Sequence, residues 1–163
     1  MQIDIGKELG VNASSTVEPE VLKKIITGAE NGNKESIYFY ALLKHYGNGV
    51  PADAAVAADY FKRAATLGHV EAQTAYAVML IGGNGVEQDY TAAVRWLKKA
   101  ITMGDEEAHW LLAVLLIEIA GEKGRSNVSV GTDGSGDVLK ANKNNYKEAI
   151  LLLHKAADEF HIS

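Results

Sequence analysis

The sequence predicts an all-α fold, an α/α superhelical solenoid of about three helix-pair repeats. Two stretches carry nearly the same pattern: residues 47–68 read GNGVPADAAVAADYFKRAATLG, and residues 83–104 read GNGVEQDYTAAVRWLKKAITMG. Residue 83 therefore corresponds to residue 47, an offset of 36. Alanines recur at the same offset, at positions 41, 77 and 113. A constant period of about 20 to 50 residues is typical of stacked helical repeats.

Each repeat is predicted to contain two helices, which we call helix A and helix B. In the first repeat, helix A covers about 35–46 and helix B about 54–67. Gly47 is expected to end helix A, because glycine readily adopts the left-handed conformation found at helix C-termini. Asp53 and Asp89 occupy equivalent positions before the two B helices. Both aspartates are therefore predicted to be N-caps.

One face of helix B is predicted to be buried. Ala57, Phe61 and Ala64 fall at i, i+4 and i+7, the spacing of a single apolar stripe on a helix. The basic pairs Lys62-Arg63 and Lys98-Lys99 lie off this stripe. They predict a solvated face of helix B, with contact to an acidic protein as the alternative.

A lone B-type helix is predicted to cover the first repeat. Val21 to Glu30 match the later half of helix B, with Ser15 and Glu18 as a candidate capping box and Pro19 in the first turn. The whole chain is predicted to be one domain, 1–163. Its segments are an N-terminal segment 1–16, a capping helix 17–34, repeat 1 at 35–70, repeat 2 at 71–106, and repeat 3 at 107–163.

The third repeat is predicted to be interrupted by a long loop. Its helix A runs to about Ala120, and helix B begins at Tyr146. Ala149 corresponds to Ala93 at an offset of 56 rather than 36, so about 20 residues are inserted. The insertion lies within 121–145, which is rich in glycine, serine and asparagine. Loops of this length are uncommon inside compact domains and are usually functional or disordered.

Composition limits the classes of function. The 163 residues include 16 basic and 21 acidic side chains, giving a net charge of −5. This balance argues against general nucleic-acid binding and permits a basic partner. No cysteine is present, which excludes disulfides and thiolate zinc sites. The start of the chain has no apolar signal core, and no apolar run is long enough for a bilayer, so we expect a cytoplasmic protein.

The repeated motif resembles a known family. The second unit, GNGVEQDYTAAVRWLKKA, is similar to the Sel-1-like repeat, a relative of the tetratricopeptide repeat. The glycines, valine, aspartate, alanines and aromatic residue fall in register over about 35–160, although the third unit lacks the Gly-x-Gly-Val turn. The resemblance implies an α/α superhelix with A helices on the concave side and B helices on the convex side. It also implies an adaptor or scaffold role in protein complexes.

A search for catalytic or ligand-binding motifs favours a non-enzymatic chain. The five histidines are scattered and form no His-x-x-x-His pair. Asp133 and Asp137 superficially resemble a calcium loop, but Val138 and Asn144 stand where an EF-hand needs glycine and glutamate. We therefore expect no metal and no cofactor, and we keep the two aspartates as candidate partner contacts in the loop. Some secreted, cysteine-rich relatives are linked to β-lactam hydrolysis, whereas this chain has neither cysteine nor Ser-x-x-Lys.

The A helices are apolar on faces that the repeat leaves unpacked. Side chains at i, i+4 and i+7 form one row on each A helix, and they predict a partner-binding concave face with Tyr38 and Trp110 as anchors. The alternative is that the N-terminal segment, the loop or a second copy of the chain covers these rows. The rows are Tyr38, Leu42 and His45; Thr74, Val78 and Ile81; and Trp110, Val114 and Ile117.

These observations predict a non-catalytic module that binds a partner protein in its concave face. The favoured role is a bacterial adaptor or an immunity-type protein that neutralises a toxin, with a basic toxin or effector as the partner. A regulatory scaffold in signalling or envelope assembly is the alternative, and a β-lactam hydrolase is a distant one. No nucleic acid and no membrane are expected as partners. The apolar inner face also predicts homodimerisation.

Overall fold

The computed structural model describes residues 17–125, 148, 149 and 151. This part of the chain contains six helices and no strand, so the predicted all-α solenoid class is confirmed. The helices are α1 (Pro19–Glu30), α2 (Lys34–Tyr46), α3 (Ala54–Thr66), α4 (Val70–Gly82), α5 (Tyr90–Thr102) and α6 (Glu106–Arg125).

The chain divides into two compact units, residues 1–96 and 97–163, with the boundary inside α5. In the first unit, α1 packs on α2, α2 on α3, and α3 on α4. Each helix therefore buries its apolar face against a neighbour in the sequence, as stacked repeats require. The described part of the second unit contains the end of α5, α6, and residues 148, 149 and 151.

The A-type helices α2, α4 and α6 begin at caps spaced by the repeat. The Asn33 side chain accepts a hydrogen bond from the backbone N–H of Ser36 at 2.8 Å. One period later, His69 Nδ1 accepts from the N–H of Ala72 at 3.3 Å. One period further, Asp105 accepts from the N–H of Glu107 at 3.0 Å. Three different side chains at equivalent positions thus each satisfy an exposed donor of a helix N-terminus, two positions on for Asp105 and three positions on for the other two.

The B-type helices α3 and α5 confirm the predicted aspartate caps. Asp53 accepts from the N–H of Val56 at 3.0 Å, and Asp89 accepts from the N–H of Ala92 at 2.9 Å. The predicted end of α2 is also confirmed, since Gly47 has a φ of 69° and its N–H bonds to the carbonyl of Leu43.

The core of the first unit depends on small residues. Ala41, Ala57, Ala64 and Ala77 have no exposed surface, and Phe61 is buried with them. Alanine at these sites allows helix backbones to approach closely, so a larger side chain would introduce overpacking strain. The buried stripe predicted for the first B helix is confirmed.

Gly85 shows how one repeat is seated on the previous one. A Cβ at this position would overlap the carbonyl of Ala54 and lie 2.7 Å from the nitrogen of Ala55, at the start of α3. One period earlier, a Cβ at Gly49 would lie 3.4 Å from the Cβ of Val17, just before α1. The turn of each repeat therefore contacts the start of the preceding B-type helix. This equivalence supports the interpretation of α1 as a lone B-type helix.

Two local predictions are wrong. A capping box would make Ser15 the N-cap, but 17 and 18 are not helical and α1 begins at Pro19. Ser15 itself lies outside the described residues. At the other end, α6 continues to residue 125 instead of stopping near Ala120. Gly121 and Gly124 each weaken a helix by only about 1 kcal/mol relative to alanine, which does not suffice to end it.

Candidate functional site

The three predicted rows differ in how much surface they expose. On α2, Tyr38 and Leu42 are buried and His45 is half-buried. On α4, Thr74 is buried, Ile81 is half-buried and Val78 is exposed. On α6, all three members of the row are exposed: Trp110, Val114 and Ile117.

Tyr38 contributes to the aromatic packing of the first unit. Only 4% of its surface is exposed. Its ring stacks on His69 with centroids 4.2 Å apart, and it lies 5.9 Å from both Phe39 and Phe61. Tyr38 therefore presents little surface to a partner, and its role as an anchor stays a prediction.

His69 is a residue whose role the sequence reasoning missed. It caps α4 through Nδ1, stacks on Tyr38, and lies 3.2 Å from a carboxylate oxygen of Glu71. The repeat predicts a helix cap at this position, because His69 stands one period after Asn33 and one period before Asp105. Its position at the cap therefore follows from the repeat, whereas its stacking on Tyr38 does not.

The α6 row is one continuous exposed apolar surface in the described part of the second unit, where Met103 and Leu151 are also exposed. Trp110 exposes 51% of its surface, Val114 41% and Ile117 40%. At about 1.5 Å per residue the row extends over about 10 Å, or two helical turns. On the opposite face of α6, Leu112, Leu115 and Leu116 are buried. We call the exposed surface formed by Trp110, Val114 and Ile117 the α6 stripe.

Carboxylates lie on both sides of the α6 stripe. Glu106 and Glu107 are exposed in the first turn of α6. With 3.6 residues per turn, Glu106 lies about 40° to one side of Trp110 and Glu107 about 60° to the other. Between residues 104 and 121 the chain has no lysine and no arginine. The stripe is therefore apolar along its centre and negatively charged where α6 begins.

The basic pairs of the B-type helices are exposed, as expected for solvated side chains. Lys62 and Arg63 are exposed on α3, where the Arg63 guanidinium lies 4.7 Å from the centroid of the Tyr60 ring. On α5, Lys98 Nζ forms an ion pair of 2.9 Å with Glu148. Such exposed pairs contribute little to stability.

The described residues contain neither a candidate metal site nor a helix that could span a membrane. Within 17–125, 148, 149 and 151, no group of three or more histidine and acidic side chains could hold a metal ion. In the same part of the chain, no helix has the length and apolarity needed to cross a membrane. The predicted loop contacts Asp133 and Asp137 lie outside the described residues, as do His154 and His161.

Helix pairs with a period of 36, equivalent caps and the seated glycine turn define a helical-repeat protein of the solenoid class. The family model for the Sel1 repeat matches residues 34–69, 70–105 and 131–159, and the chain belongs to the Sel1 repeat family. The third match begins at residue 131, inside the predicted loop 121–145.

Solved structures agree with this assignment. A Sel1 repeat protein from Oxalobacter formigenes is 31% identical with a TM-score of 0.59, and the match covers 68% of this chain and 31% of that one. A protective antigen of uropathogenic Escherichia coli that displays an SLR fold is 26% identical, also with a TM-score of 0.59, over 81% of this chain and 26% of that one. The chain thus spans about a third or less of those proteins. Comparison with curated proteins gave no match.

The family gives a general expectation of function. Sel1 repeat proteins generally mediate protein–protein interactions, and their fold is typically a non-catalytic interaction scaffold. An exposed tryptophan in an apolar row is consistent with that role, because aromatic residues carry much of the energy of protein interfaces.

Proposed function

We propose that this chain is a non-catalytic module that binds a partner protein through exposed apolar side chains of its A-type helices. In the first unit these side chains are the exposed Val78 and the half-buried Ile81, and in the second unit they form the α6 stripe. The observation that carries the proposal is the half-exposed Trp110, which has exposed apolar neighbours one and two turns further along α6. An exposed apolar row of this kind has no role in the folded core.

The favoured role remains a bacterial adaptor or an immunity-type protein acting in the cytoplasm on a basic toxin or effector. The net charge of −5 and the carboxylates beside the α6 stripe support a basic partner. A regulatory scaffold in signalling or envelope assembly is the second candidate, since the same surface suits other protein partners. Neither role requires a cofactor, a metal, nucleic acid or a membrane.

The experiment is capture of partners from lysate of the native host with the tagged full chain, followed by mass spectrometry. We expect one dominant partner, which Trp110→Ala loses. Leu67→Ala is the matched control, because Leu67 also exposes 51% of its surface but lies at the end of α3. Circular dichroism checks that both variants are folded.

The identity of the partner separates the two roles. A toxin encoded beside this chain supports neutralisation, and a kinase or secretion component supports the scaffold. Retention of the partner by Trp110→Ala, or the absence of any partner, would contradict the proposal. Hydrolysis of a chromogenic β-lactam by the purified chain would contradict its non-catalytic nature.

A further inference from the structure

We infer that the α6 stripe binds a basic amphipathic helix of a partner protein, an inference that rests on the proposed function and specifies the partner's chemistry. The helix would place apolar side chains on Trp110, Val114 and Ile117, and lysine or arginine beside Glu106 and Glu107. The argument concerns the second unit alone.

The shape of the surface favours a helix over an extended peptide. One way to bind an extended peptide is to add it as a strand to a sheet edge, and residues 17–125 contain no strand that could offer such an edge. A helix satisfies its own backbone hydrogen bonds, so it needs only side chains from its partner. Trp110, Val114 and Ile117 extend over two helical turns, which is the length covered by the i, i+4 and i+7 side chains of a bound helix.

The charges favour a basic helix. Glu106 and Glu107 lie on opposite sides of Trp110 and are exposed. An apolar helix flanked by lysine or arginine would place a cation near each carboxylate, whereas an acidic helix would place like charges together. The same carboxylates disfavour an anionic lipid surface and nucleic acid, both of which carry negative charge.

The charges also disfavour a second copy of this chain as the occupant. In a two-fold dimer the same patch meets itself. A pairing confined to residues 104–121 would bring no opposite charges together, because this segment contains carboxylates but neither lysine nor arginine; Lys123 and Arg125 lie beyond it on α6. A heterologous basic helix is therefore the occupant that best complements the surface.

The probe is a fluorescein-labelled amphipathic peptide about five helical turns long, with leucines at i, i+4 and i+7 and lysines on both flanks. A second peptide carries glutamates in place of the lysines, and a third has the lysine peptide's composition in scrambled order. Binding to the full chain is measured by fluorescence anisotropy at about 50 mM salt, where exposed charges are weakly screened.

We expect the lysine peptide to bind about tenfold or more tightly than the other two. Trp110→Ala should weaken it about tenfold or more, and Leu67→Ala should leave it unchanged. The double substitution Glu106→Gln/Glu107→Gln should weaken the lysine peptide about fivefold without weakening the glutamate peptide. The wild-type dissociation constant should rise when salt is increased to about 500 mM.

Several results would overturn the inference. Equal binding of the lysine and glutamate peptides would show that charge does not select the partner. Unchanged binding by Trp110→Ala would show that the α6 stripe is not the binding surface. A dimer in analytical ultracentrifugation that Trp110→Ala dissociates would make a second copy the occupant. If no peptide binds while a lysate partner is still lost from Trp110→Ala, the proposed function stands and only the basic helix is wrong.

Discussion

At the scale of single residues, equivalent positions of the repeat serve different purposes. Tyr38, Thr74 and Trp110 are spaced by one period each. The first two are buried, whereas Trp110 is half-exposed. In contrast, Asn33, His69 and Asp105 differ in chemistry but all cap an A-type helix. A cap needs only one acceptor close in sequence, so chemically different side chains can supply it.

Gly85 gives a residue-scale prediction. Gly85→Ala should lower the free energy of unfolding by more than about 2 kcal/mol, because the new Cβ meets the backbone of Ala54 and Ala55 and because φ is 70°. Chemical denaturation of the purified chain measures this change.

Gly68→Ala is the control for this substitution. Gly68 also has a positive φ, 87°, but nothing lies within 4 Å of an added Cβ. The free energy of unfolding of the control variant should therefore fall by only about 1 kcal/mol, the strain of an alanine in the left-handed conformation. If both variants were destabilised equally, close seating of the turn on α3 would not be what requires glycine at position 85.

At the scale of helices, α6 has one buried and one exposed apolar face. One face carries buried leucines, including Leu112, and the other carries the α6 stripe. The buried face supplies packing for α6, and the exposed stripe is the face through which we propose that α6 binds a partner. The sequence of α6 is apolar almost all round, so its composition does not distinguish the two faces.

Substitution of neighbouring residues on α6 tests this division. Leu112→Ala should cost about 2–5 kcal/mol of unfolding free energy, since Leu112 is only 1% exposed and its loss leaves a cavity. Trp110→Ala should cost less than about 1 kcal/mol, as is usual for exposed positions. Both changes are measured by thermal and chemical unfolding. A comparable loss from Trp110→Ala would mean that Trp110 supports the fold.

At the scale of the whole molecule, charge is the property that bears on function. The chain has a net charge of −5 and a calculated isoelectric point of about 5.5. A negative protein attracts a basic partner before contact, which raises the association rate in a manner that salt suppresses. The matches cover only 31% and 26% of the two solved relatives, so their whole-molecule properties do not transfer to this chain directly.

The association rate with the captured partner should therefore depend on salt. Raising salt from about 50 to about 500 mM should lower the rate about tenfold or more, while the dissociation rate changes less. Biolayer interferometry with the full chain measures both rates. An association rate that does not change with salt would indicate a partner recognised without electrostatic attraction, and the basic-toxin role would then lose its support.

The sequence by itself determined the class of fold, the period, the aspartate caps and the glycine at the end of α2. The caps and the end of α2 depend on residues within about four positions of one another, where spacing alone decides which groups meet. The period, and with it the class of fold, follows from the recurrence of the same pattern at an offset of 36. The end of α6 could not be read in this way, because glycine weakens a helix without ending it and the continuation to residue 125 depends on the rest of the structure.

The candidate site was only partly predictable for the same physical reason. Sequence spacing put Tyr38 and Trp110 at equivalent places on α2 and α6, and the sequence alone offered no way to tell them apart. The tertiary structure decided that Tyr38 is buried, because His69 and Phe61, distant along the chain, pack against its ring. In the same structure, Trp110 is half-exposed. Exposure is set by what other segments bring into contact, and that information lies in the packing and not in the spacing of one helix.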